Sequence, residues 1–340
     1  MKRNQIIAFS LLAILVLWIF SSSILKSCTK LGFNSEDQSN NSVAESTTVL
    51  QKAPVFLEDS AYLFIEKQVA FGPRVPATPQ HKACGDWLKQ KLTEYGAKVY
   101  TQDFVGTAYD GKKRNSRNII GSLNPTATTR IMLAAHWDTR PMADQDDNDQ
   151  SKPILGAIDG GSGVAVALEI ARQIKNNPLK SNIGVDIVFF DNEDNGAPDN
   201  APNSDPKWWC LGSQYWAANK HIPNYSAYYG ILLDMVGGKN TFFQKEGYSM
   251  QNATSIVELV WSTAAQLGYS KYFKNENGGS AIDDHVPVNE IAKIPMIDII
   301  STDGSGFGSF WHTHDDNLSN VSKEHLKAVG QTVLQVIYNE

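Results

Sequence analysis

Val185-Asp186-Ile187-Val188-Phe189-Phe190-Asp191-Asn192-Glu193-Asp194 reads as a strand that runs straight into acid. Its first six residues are nearly all apolar, the pattern of a strand buried on both faces. Such a strand belongs inside a parallel sheet covered by helices. Its C-terminal end is then the place for a polar site, because open α/β sheets bind ligands beyond the carboxyl ends of their strands.

Working outward, three further runs have the same character: Ile131-Met132-Leu133-Ala134-Ala135, Gly230-Ile231-Leu232-Leu233-Asp234 and Pro295-Met296-Ile297-Asp298-Ile299-Ile300. Lys98 to Phe104 alternates and reads as a half-exposed strand, and Asn118 to Leu123 reads as another. Helical spacing covers 60–71, 79–95, 162–176, 211–220, 254–267 and 323–338. In the second of these, Cys84, Trp87, Leu88 and Leu92 share the buried side. Alternation of buried strands and helices predicts an α/β fold, a three-layer sandwich with a mostly parallel, mixed central sheet. No repeat or second linker interrupts it, so residues 53–340 are expected to form one domain.

The N-terminus is of another kind. Lys2 and Arg3 precede an apolar run from Ile6 to Leu25, about the 20 residues needed to cross a bilayer. A basic head before such a run also fits a secretory signal. Leu25-Lys26-Ser27-Cys28 resembles a bacterial lipoprotein cleavage site, with Lys26 a departure from it; the alternative is an uncleaved anchor helix. Either way the body is expected to be exported, periplasmic or in the cell envelope, and membrane-tethered. Residues 1–28 are thus a signal or anchor, and 29–52, rich in Ser, Asn, Gln and Glu, a flexible linker. Export permits a disulfide between Cys84 and Cys210, and two buried free thiols remain the other possibility.

The net charge of −6 comes without any stripe of basic residues, which excludes a nucleic-acid footprint. A mildly acidic enzyme suits a substrate with a free amine.

The chemistry-bearing residues fall after the predicted strands. Asp159 lies in Gly156-Ala157-Ile158-Asp159-Gly160-Gly161-Ser162-Gly163, where glycines permit a sharp turn and Ser162 is expected to cap the next helix. A loop after 185–190 can aim one of Glu193 and Asp194 at a metal and leave the other to move protons. His312, in Phe310-Trp311-His312-Thr313-His314, completes an Asp/Asp/His set with an open fourth position, as catalytic zinc needs; His314 competes for that place. His136-Trp137-Asp138 suits a histidine whose second ring nitrogen is held by a carboxylate. Asp234 is either a ligand or a hydrogen-bond acceptor, and Asp283-Asp284-His285 lies in a polar loop. Asp144 to Asp149 looks like a cation loop but lacks the EF-hand pattern, and reads as a solvated surface turn.

Together these runs resemble the zinc-aminopeptidase-like superfamily, the M28 peptidase fold, from about residue 55 onward. Within it they are most similar to the glutaminyl-peptide cyclotransferases of the animal type. Asp283-Asp284-His285-Val286-Pro287 and Trp311-His312-Thr313 lean toward that group. The resemblance implies one Zn2+ held by Asp159, Asp194 and His312, with Glu193 as proton shuttle. It implies Asp234 and Asp283 as acceptors behind the reaction centre, and Trp311 as a pocket wall. Asp194 stands where animal members have glutamate, a shorter arm. A second pocket tryptophan has no aligned counterpart, which leaves Trp208 or Trp209 to substitute. The implied reaction converts the N-terminal glutamine of peptides or proteins to pyroglutamate and releases ammonia. The rival is a two-zinc aminopeptidase, in which His136 and Asp234 hold a second ion bridged by Asp159. A non-catalytic binding module would usually have lost ligands, and here none is lost.

Overall fold

The computed structural model describes residues 52–198, 201 and 205–340. The predicted leader and the linker up to residue 51 lie outside them, and so do both forms of membrane tether. Among the described residues no helix is long and apolar enough to cross a membrane.

Among the described residues eight strands form one mixed sheet: β1 Lys98–Thr107, β2 Lys113–Leu123, β3 Thr129–His136, β4 Ile183–Phe190, β5 Tyr229–Asp234, β6 Phe242–Lys245, β7 Phe273–Asn277 and β8 Met296–Thr302. Their spatial order is β1-β2-β4-β3-β5-β8-β6-β7. The centre, β4-β3-β5-β8, is parallel. β1 and β2 form an antiparallel hairpin against β4, and β6 runs antiparallel to β8. The four apolar runs are this parallel centre. β6 and β7 were not expected, since each is short and only Phe243, Lys245 and Phe273 of their residues are buried.

The period of two along each strand splits the core in two. Ile131, Leu133, Ala135, Val185, Ile187 and Phe189 face one side. There they pack on the helices α1 Glu58–Val69, α2 Pro79–Glu94, α3 Gly161–Asn176, α6 Thr254–Gln266 and α7 Lys323–Asn339. Met132, Ala134, Val188 and Phe190 face the other, against Trp216 of α4 Leu211–Ala218 and the turn at Val288–Ala292. Between those elements, α5 Gly247–Asn252 follows β6.

Local chemistry sets the helix ends. Thr78 accepts from the His81 amide with Pro79 at the first turn of α2, and Ser322 accepts from the His325 amide at α7. The expected Ser162 cap is corrected: α3 starts at Gly161, and the Ser162 hydroxyl instead donates to the Ile158 carbonyl at 2.5 Å. Trp87 is only half-buried, whereas Cys84, Leu88 and Leu92 are fully enclosed. Cys84 and Cys210 are free thiols, both buried, so they form no disulfide.

Candidate metal centre

The parallel strands deliver their polar ends to one recess. His136 ends β3, Asp234 ends β5, and Glu193 and Asp194 lie just past β4. Asp159 sits in the turn before α3 and His312 in the long connection after β8, and all six are buried. His312 Nε2 is 3.1 Å from Asp194 Oδ1 and 3.8 Å from Asp159 Oδ2. His136 Nε2 is 2.8 Å from Asp159 Oδ1 and 3.3 Å from Asp234 Oδ1.

Two buried carboxylates shape the loops from behind. Asp138 accepts from the amides of Glu193 (3.0 Å) and Asp194 (3.3 Å). Asp316 accepts from those of Ile158 (2.6 Å) and Asp159 (3.2 Å). Each set of amides is thereby paired, as buried backbone must be. Asp138 is 3.7 Å from His136 Nδ1, too far for a hydrogen bond, so its main partners are the 193–194 amides. The buried Arg74 guanidinium donates to the carbonyls of Trp137, Leu155 and Gly156, which pins the glycine turn where Gly156 has φ +61°.

A second cation closes the other side. Arg140 donates to Asp144 at 2.5 and 2.7 Å and approaches Asp194 Oδ1 at 3.4 Å. Asp144 lies 3.4 Å from His312 Nδ1. The reading of 144–149 as a solvated turn holds for Gln145, Asp147 and Asn148, which are exposed, but not for Asp144, which is held by Arg140, or for Asp146, which accepts from the His314 amide at 2.9 Å. His314 points to that loop, so His312 and not His314 joins the carboxylates.

The imidazole of His312 stacks on Trp311 at 3.9 Å and faces Trp209 at 6.0 Å, nearly parallel. Trp209 also carries the Arg140 guanidinium at 4.8 Å over its ring. Trp209 and Trp311 line the cavity of 490 Å³ that opens over Asp159, Glu193, Asp194, Asp234, Asp283 and His312. Trp208 does not line it and lies beneath Lys207 instead. Asn192, Cys210, Met235 and His312 adopt left-handed backbone, with φ of 59°, 57°, 51° and 55°. For residues other than glycine this conformation is costly and persists only where surrounding packing enforces it.

Burial raises Glu193 well above the usual carboxylate range; Asp283, Asp194 and Asp284 add to that and His136 opposes it. Burial, with Asp283 and Asp159, pushes Asp234 up to about 7 against the pull of His136. Asp159 is held low despite its burial, because His136, His312 and Arg140 surround it.

The donor set fits zinc. Asp159, Asp194 and His312 each offer a ligand atom within 4.8 Å of the others, and Asp194 Oδ2 is buried with no hydrogen-bond partner. Two carboxylate oxygens, one imidazole and an open side toward a cavity are what a catalytic zinc site requires. Among the described residues three other groups come equally close: His136/Asp159/Asp234, Glu193/Cys210/Asp283 and Asp283/His285/Asp298. The parts that Arg74, Arg140, Asp144, Cys210 and Asp316 play at the site were not anticipated, since the fold and not the sequence brings each to the recess.

A parallel sheet with a zinc-type ligand set at its carboxyl edge defines a zinc-exopeptidase-like protein. The chain belongs to peptidase family M28, whose family model matches residues 118–337. It is similar to the glutaminyl cyclase of Bacteroides thetaiotaomicron solved bound to N-acetylhistamine: 51% identity, TM-score 0.83, covering 85% of this chain and 99% of that one. A Zn-dependent exopeptidase from Parabacteroides distasonis is 55% identical with TM-score 0.82, covering 85% and 100%. The glutaminyl-peptide cyclotransferase of Bos taurus is 26% identical, over 88% of this chain and 84% of its own.

Proposed function

We propose that this protein is a zinc-dependent glutaminyl-peptide cyclotransferase. It closes the N-terminal glutamine of peptides or proteins into pyroglutamate and releases ammonia. The observation that carries this reading is the convergence of Asp159, Asp194 and His312 beside the buried Glu193, under a cavity walled by Trp209 and Trp311.

Asp159, Asp194 and His312 would hold the ion, which when bound supplies Lewis acidity to the side-chain carbonyl of the substrate glutamine. Glu193 accepts a proton from the α-amine as its nitrogen bonds to the side-chain carbonyl carbon. The same carboxyl returns that proton to the departing amide nitrogen, which leaves as ammonia. Burial suits this double duty, since it raises the Glu193 carboxyl and makes it a stronger base toward the amine than an exposed carboxylate would be. Asp234 and Asp283 accept hydrogen bonds from the amine and hold its lone pair toward the carbonyl. Trp209 and Trp311 flank the aliphatic stem and exclude water, so the attacking group is the tethered amine.

The two-metal aminopeptidase is the second reading, favoured by the proximity of His136, Asp159 and Asp234. His136 Nε2 lies 2.8 Å from Asp159 and 3.3 Å from Asp234, contacts that suit a hydrogen-bonded imidazole beside one ion and a ligand to a second ion alike. Mass spectrometry of a Gln-leading peptide after exposure to the enzyme decides. Loss of ammonia from an intact chain is expected; release of free glutamine would overturn the proposal. The basic-headed apolar leader supports an exported enzyme. Its tether, lipid on Cys28 or an uncleaved helix, belongs to the proposal.

A further inference from the structure

Beside the metal recess lies a second cavity, of 320 Å³, between the loop that follows β7 and the loop that follows β8. Four residues, Ser280, Ala281, Ile300 and Phe307, line both cavities. Phe307 also packs on Trp311, with ring centroids 4.9 Å apart. The second cavity is therefore continuous with the wall against which the substrate glutamine rests.

Its rim is built rather than loose. Asp303 accepts from the amides of Ser305 and Gly306 and from the Ser305 hydroxyl. The Thr302 hydroxyl accepts from the Gly304 amide and donates to the Gly306 carbonyl. On the opposite side Gly278, Gly279 and Ser280 present bare backbone. One charged group lies at the bottom, the carboxylate of Glu246. It is 3% exposed and accepts from the amides of Tyr248, Ser249 and Ala281 and from the Ser249 hydroxyl. His285 stands 3.2 Å away on its buried side. Glu246 therefore has no lone pair to offer a ligand cation, and its charge opposes a second carboxylate.

An extended peptide advances about 3.3 Å per residue and alternates its side chains, so residues one and three emerge on the same face about 7 Å apart. A ring contacted on both faces separates its two neighbours by a similar distance, because carbon contacts form at about 3.5–4 Å. Phe307 borders both cavities.

We propose that this second cavity is a substrate subsite that receives the side chain of the third residue of the peptide, and that it selects a large uncharged, preferably aromatic, side chain over an acidic one. The inference rests on the cyclase reading. Phe307 and Ile300 supply the apolar contact, the glycine loop leaves the space, and Glu246 sets the bias against acid.

The test is steady-state kinetics on glutamine amide, Gln-Ala-Phe-amide, Gln-Ala-Gly-amide and Gln-Ala-Asp-amide, with the wild-type enzyme and the variants Gly279→Leu and Gly306→Leu. A Cβ added at either glycine meets nothing within 4 Å, and both glycines line the cavity, so a leucine is admitted there without displacing the fold. Wild type should prefer the Phe peptide over the Gly peptide by roughly tenfold in kcat/KM, mostly through KM, with the Asp peptide poorest. In each variant the Phe preference should fall toward unity while turnover of glutamine amide is kept. Equal rates on all three peptides by wild type, or an undiminished Phe preference in both variants, would overturn the subsite. Failure of wild type to cyclise glutamine amide would instead overturn the cyclase reading itself.

Discussion

Cys210 Sγ lies 3.2 Å from Glu193 Oε1, inside the protein and at the first residue before α4. The Cys210 amide also donates to the Glu193 carbonyl at 3.0 Å, so one residue grips the proposed proton shuttle by backbone and side chain. The left-handed backbone at Cys210 is what turns both groups the same way. Removal of the thiol should let the Glu193 carboxyl rotate. Cys210→Ala is expected to lower kcat by about three- to tenfold with KM nearly unchanged, and Cys210→Ser to restore most of it. If the alanine variant matches wild type in kcat, the contact has no catalytic weight.

Glu193→Gln keeps the shape and removes the proton traffic. Turnover should fall by at least about 100-fold while the bound zinc, read by elemental analysis, stays at its wild-type amount. Loss of zinc together with activity would mean that Glu193 is a ligand and not a shuttle.

Removal of the ion should take from Asp159 and Asp194 the charge they share and leave only His136, His312 and Arg140 to offset them. Chelation is expected to abolish activity and lower Tm, and added zinc to restore both at one ion per chain. Restoration only at two ions per chain would give the His136/Asp159/Asp234 group a metal of its own.

His221 offers a pH dependence far from the metal. Its Nδ1 accepts from the Trp216 indole N–H at 3.2 Å, and burial holds it down at about 4, with Arg130 pulling the same way and Asp186 opposing. The unfolded chain takes up this proton first. The stability due to neutral His221 is therefore complete above the ordinary value of 6.5 and is lost as pH falls toward about 4. Tm should drop more steeply between about pH 7 and pH 5 in wild type than in His221→Gln. Parallel curves would remove His221 as the cause.

Gly163 lies on the face of α3 that meets the sheet. A Cβ there would collide with the Leu233 carbonyl and press on Ala135. Gly163→Ala should destabilise the fold by about 2–4 kcal/mol in denaturant melts, although alanine is the better helix former. A more stable variant would show that α3 can lift off β5.

The sheet centre was legible because complete burial leaves a run of apolar residues that no other environment needs, as at Ile131–Ala135 and Val185–Phe190. The same reading placed Asp159, Asp194 and His312 at strand ends or in long connections, where they meet. What was not legible has a common cause. Asp316 and Asp144 look like ordinary loop acids, and their roles arise only when residues 158 and 312 fold against them. Trp208 and Trp209 are equivalent on paper, and the turn at Pro206–Trp208 decides which one faces the cavity. β6 and β7 lack the apolar runs because they are short strands at the outer end of the sheet, β7 at its edge, and only partner strands define them.

The four left-handed residues around the recess also bear on how the catalyst could be altered. Asn192, Cys210, Met235 and His312 each keep a posture that a glycine would hold at less cost. Substituting glycine there would ease local tension but surrender the side chain that lends the recess its shape. An engineer seeking a hardier enzyme should therefore leave this rim alone and work at the opposite pole of the sheet, where robustness and catalysis are not in competition.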